Sequence, residues 1–103
     1  MEINEKVDIT KKIQDFSDVV AQFSDLLDEE NGALRCFDMN KVSKLYAKKT
    51  QIVTSYRNLT AFLIKNRNEL NSLSEEIRSN IKNSSLALDA KLKENDLLLK
   101  TRM

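Results

Sequence analysis

The chain is expected to be all-α, a three-helix antiparallel bundle made of a helical hairpin and a third, weakly held C-terminal helix. Three observations predict it. Its 103 residues contain no proline and one glycine, which suits long helices far better than turn-rich β structure. Apolar residues recur at alternating steps of three and four, the period of a helix face. With 41% hydrophobic and 32% charged residues, the length is right for one small folded domain spanning 1–103.

The first helix is expected over about 4–36, on the stripe Ile13, Phe16, Val20, Phe23, Leu27, Leu34 and Phe37. Position 30 falls on that stripe, and it is a glutamate. The second helix is expected over about 39–66, opened by Asp38, whose carboxylate can accept from free backbone N–H groups of the first turn. Its stripe is Val42, Leu45, Tyr46, Ile52, Val53, Tyr56, Leu59 and Leu63, and the step at position 49 is a lysine. Folding the two stripes back at Phe37–Asp38 sets Leu34 against Leu45, Leu27 against Ile52, Phe23 against Tyr56 and Phe16 against Leu63. The same register sets Glu30 against Lys49, expected as a pair in the hairpin seam that contributes register more than stability; the alternative is that both side chains bend outward to water on their long stems. Both tyrosines are expected in the core, and Cys36 as a small, partly buried side chain.

The third helix is expected over about 73–101, with Ser72 and Glu75 at the spacing of a capping box. Its main stripe is Leu70, Leu73, Ile77, Ile81, Ser84, Leu88, Leu92, Asn95 and Leu99. The middle is rich in serine and asparagine, whose side chains compete for the backbone, so this helix is expected to be the least stable of the three. Leu86, Ala90 and Leu97 cluster on the opposite side with Leu98 at the flank, an outward strip suited to binding another protein.

Charge is sorted along the chain. Residues 1–38 carry ten acids and four bases, residues 39–67 seven bases and no acid, and residues 68–103 six of each. An acidic helix lying along a basic one accounts for the partition without nucleic acid, for which no aromatic stacking set or motif is present. No histidine, a single cysteine and no glycine loop leave no candidate nucleophile pair, zinc-ligand set or phosphate cradle. Neither an enzyme nor a cofactor is expected. No run reaches the roughly 20 apolar residues of a membrane span, and the start, MEINEKVDIT, lacks the features of a secretory signal, so a cytoplasmic location is expected.

The run LLDEENGALRCFDMNKVSKLYAKKTQIV, with Leu26, Leu27, Glu30, Ala33, Leu34, Asp38, Val42, Leu45, Lys49, Ile52 and Val53 in these spacings, resembles the FlgN-type flagellar type III export chaperones. The end, LKENDLLLKT, resembles that family's C-terminal helix, in which an asparagine is closely followed by leucines, here Asn95, Leu98 and Leu99. The resemblance implies a cytoplasmic helical chaperone that holds hook-associated (hook–filament junction) proteins before export and meets the export apparatus. It also implies that the C-terminal helix engages the amphipathic terminal segment of the substrate, through Leu86, Leu88, Leu92, Asn95, Leu97, Leu98 and Leu99. A homodimer is left open. The alternative is a structural coiled-coil subunit of a phage or secretion assembly that self-associates through the third helix.

Overall fold

The computed structural model describes residues 2–102, with side chains from Ile9 onward. Helix α1 runs Glu2–Arg35, α2 Met39–Lys65, α3 Arg67–Asn71 and α4 Glu75–Arg102. The short α3 lies where sequence periodicity leads only to a polar joint. The fold is an all-α bundle, 50 × 23 × 17 Å, built on α1 as a spine. Helices α2 and α4 each lie along α1 but make little backbone contact with one another.

The joint between α1 and α2 is tight because one short run caps both helices. The Asp38 N–H donates to the Ala33 carbonyl at 2.8 Å and the Phe37 N–H to the Leu34 carbonyl at 3.1 Å, the paired bonds of a Schellman end. Phe37 occupies the left-handed position usually held by glycine, with φ 58°. Asp38 then turns to α2, its Oδ1 accepting from the Lys41 N–H at 3.2 Å. Phe37 is therefore exposed rather than the last apolar step of the first stripe, and its ring lies 5.0 Å beneath the Arg102 guanidinium.

The hairpin core follows the stripes. Phe16, Val20, Phe23, Leu26 and Leu27 of α1 bury against Ile52, Leu59 and Leu63 of α2, with Leu88 of α4 closing the cluster. Leu27 and Leu34 are fully buried, each contributing about 1.5–3 kcal/mol relative to exposure. Tyr56 sits between two turns of α1, edge-on to Phe23 at 5.6 Å and stacked with Phe16 at 5.9 Å. Tyr46 departs from the core expectation. At 66% exposed it stands on a flank of α2 turned away from α1. Cys36 is exposed as well, because it follows the last residue of α1 where the chain swings outward.

Helix α4 runs parallel to α1, since Lys91 meets Asp28 while Leu98, nearer its end, shares a cluster with Ala33 and Leu34. Its cap differs from expectation. The Ile77 N–H donates to Ser74 Oγ at 3.3 Å, so Ser74 opens the helix, while Ser72 Oγ donates to the Glu69 carbonyl at 2.6 Å and closes α3. Along α4 burial is graded. Leu88, Asn95 and Leu98 are buried in its second half, whereas Ile77 is exposed and Ile81 only half-buried in its first.

Among the described residues the sorting of charge does not produce a ladder between α1 and α2. Among the described residues Glu30–Lys49 is the one ion pair joining them; Asp28 and Arg35 of α1 reach instead to Lys91 and Glu94 of α4. Lys41, Lys44 and Lys48 are exposed to water. No helix among the described residues is long and apolar enough to cross a membrane.

Candidate functional site

A buried polar cluster joins the three long helices at one level. Glu30 is supplied by α1, about two turns before the joint, on the stripe that faces both neighbours; its side chain is 4% exposed. Lys49 reaches it from α2, Nζ to Oε1 at 2.7 Å. Asn95 enters from α4 and both donates and accepts. Its Nδ2 donates to Glu30 Oε1 at 2.6 Å and to Asn31 Oδ1 at 2.8 Å, while its Oδ1 accepts from Lys49 Nζ at 3.0 Å.

The chemistry of the side chains explains why these three types meet. A carboxylate offers only acceptors and an ammonium only donors, while an amide offers both and can bridge them. Asn95 thus completes a closed ring of hydrogen bonds in which no charge is left alone, the condition for burying an ion pair at tolerable cost. Asn31 extends it, its Nδ2 lying 3.5 Å from the Lys91 carbonyl. Lys91 in turn donates to Ser24 Oγ at 2.6 Å and Asp28 Oδ2 at 2.8 Å, tying α4 to the other flank of α1.

Beside the cluster lies a groove of about 730 Å³, walled by Met39, Val42, Tyr46 and Val53 of α2 and by Leu99 of α4, with Glu30 and Lys49 at its base. It is the space left where α2 and α4 diverge over α1. Apolar walls with a small polar base are the general make-up of a binding groove. No group of three or more His, Cys, Asp or Glu among the described residues is placed to hold a metal ion.

The substrate-binding set named from sequence is split by the structure. Leu86 and Leu97 are exposed at 58% and 61%, on the outer side of α4 with Ala90. Leu92 and Leu99 are half-buried toward α1 and the groove. Leu88, Asn95 and Leu98 are buried and face no partner in this conformation. Leu98 is the correction with a simple cause. It lies three residues past Asn95, on the side of α4 that meets Ala33 and Leu34, and 9% of it remains exposed. Asn31 and the groove wall at Tyr46 were not legible as site residues, because an asparagine beside a glutamate and a tyrosine on an apolar stripe carry no distinguishing spacing.

Comparisons of the chain with protein-family models, with curated proteins and with solved structures return no match.

Proposed function

We propose that this protein is a cytoplasmic chaperone of the FlgN type, holding the amphipathic terminal segments of hook-associated flagellar proteins and delivering them to the export apparatus. The observation that carries the reading is the convergence of Glu30, Lys49 and Asn95 on one hydrogen-bonded cluster. These are the polar positions that, with Asp38, set the resemblance apart from a generic leucine pattern, and they form a single unit that fixes three helices in register. A second support is apolar surface without an internal partner. Leu86 and Leu97 on α4 and the groove beside α2 both suit an amphipathic helix, bound by an apolar row laid against a bundle.

The test is light scattering after size exclusion, with the protein alone and mixed with C-terminal peptides of hook-associated proteins. A one-to-one complex that forms with such a peptide supports the reading. An oligomer of constant size that takes up none of them overturns it in favour of a self-assembling structural subunit. Leu97→Asp is the variant for the outer face of α4, since Leu97 is exposed and its replacement leaves the core intact.

A further inference from the structure

The groove between α2 and the Leu99 edge of α4 has a definite chemical character. Its lining row on α2 is Met39, Val42, Ser43, Tyr46, Lys49, Thr50 and Val53, residues three and four apart on one helix face. From Met39 to Val53 that row is about 21 Å long at 1.5 Å per residue. A helix of about four turns would cover it.

The charges that α2 brings to it are of one sign. Helix α2 carries six bases and no acid. Lys49 stands at the base of the groove, and Arg57 continues the lining row one turn beyond Val53. The acid at the base, Glu30, is already held by both Lys49 and Asn95. On α4 the neighbouring acids Asp89 and Asp96 are paired with Lys93 and Lys100. Lys49 has a donor in reserve, because an ammonium carries three and the two hydrogen bonds to Glu30 and Asn95 use two of them. An acceptor arriving through the groove meets that donor without any need to break the cluster.

We infer that this groove is the docking site for an acidic amphipathic helix, about four turns long, whose apolar row lies between Tyr46 and Leu99 and whose carboxylates face Lys49 and Arg57. The inference deepens the chaperone reading and rests on it for the helix being part of an export substrate. It moves the binding surface from the outer leucines of α4 to the α2 side. A second copy of this chain is the competing occupant. Self-pairing would set the base-only α2 against another base-only helix, which electrostatics disfavours.

The experiment measures fluorescence anisotropy of labelled synthetic helices of about 18 residues, binding to the intact protein. The helices share one apolar face and differ in having glutamate or lysine on the flanks. The glutamate peptide is expected to bind at least tenfold more tightly, and more weakly as salt is raised. Thr50 is exposed and its hydroxyl bonds only to the backbone of Tyr46, so substitution there leaves the bundle folded. Thr50→Glu is expected to weaken glutamate-peptide binding several-fold and Thr50→Lys to strengthen it, while Tyr46→Ala weakens both peptides.

Equal affinity for the two peptides, or indifference to Thr50 and Tyr46 substitution, overturns the inference. So does concentration-dependent self-association abolished by Tyr46→Ala. Hook-associated peptides that bind but respond only to Leu97→Asp leave the chaperone reading standing and remove the groove from it. A groove that takes the glutamate peptide while hook-associated peptides fail does the reverse.

Discussion

At the scale of single residues the Glu30–Lys49–Asn95 ring is the feature with the largest expected energetic signature. Glu30→Ala leaves the Lys49 ammonium with one partner in a largely enclosed site, and the expected cost is about 3 kcal/mol in urea unfolding. The double change Glu30→Leu with Lys49→Met removes both charges and is expected to cost less than the sum of the two single changes, about 1–3 kcal/mol remaining because the buried Asn95 Oδ1 loses its donor. Additive losses in that cycle would mean that the two side chains act independently and that no ring couples them. Thr60 offers the opposite sign. Its Oγ1 is buried without a hydrogen-bond partner among the described residues, so Thr60→Val is expected to raise stability by about 1 kcal/mol, read from the same unfolding curves. The pairing of Glu30 with Lys49 was legible in the sequence, because both interrupt an apolar period and a single fold-back register aligns them. Asn31 was not: it stands four residues after Leu27 and three before Leu34, at the edge of the same face, and its burial depends on the approach of α4.

Among the elements, α4 carries the sharpest contrasts. Ser74→Ala is expected to destabilise by about 1 kcal/mol through the loss of the cap on Ile77, whereas Ser72→Ala affects α4 little because its hydroxyl closes α3. The reverse order would restore the capping box spaced from Ser72. Hydrogen exchange is expected to divide α4 near Leu86, with fast exchange before it and slow exchange around Leu88, Asn95 and Leu98. Uniform protection along the helix would contradict the burial gradient. The three long helices were readable from period and composition to within a few residues. Helix α3 was not, because its five residues, RNELN, are too few to show a period and contain no buried side chain. The exposure of Tyr46 is illegible in the sequence for a related reason. A stripe read from one helix marks an apolar face wide enough for two neighbours, and here the second neighbour, α4, stands off and leaves the groove.

For the whole molecule, the separation of acidic and basic segments carries less energy than the sequence suggests. With one buried α1–α2 ion pair and the α2 lysines Lys41, Lys44 and Lys48 in water, stability is expected to change by less than about 1 kcal/mol between low salt and about 0.5 M salt. A larger loss would point to a cooperative surface network beyond the ion pairs found among the described residues. Charge at long range remains available for steering a partner, which is why salt should affect peptide binding more than folding.

The joint at Phe37 and Asp38 has one more consequence, for which sequence changes the protein can tolerate. Asp38 ends one helix with its backbone N–H and begins the next with its carboxylate, so the connection has no spare residue. One inserted residue would break one of those two duties. If it were taken up at the start of α2, it would turn every later side chain by about 100° and carry Lys49 away from Glu30. The joint therefore acts as a fixed phase between two helices. Length variation should be lethal to the fold there and tolerated between Leu73 and Ser74, after the bonds that close α3 and before the cap of α4, a difference that an insertion scan would register directly.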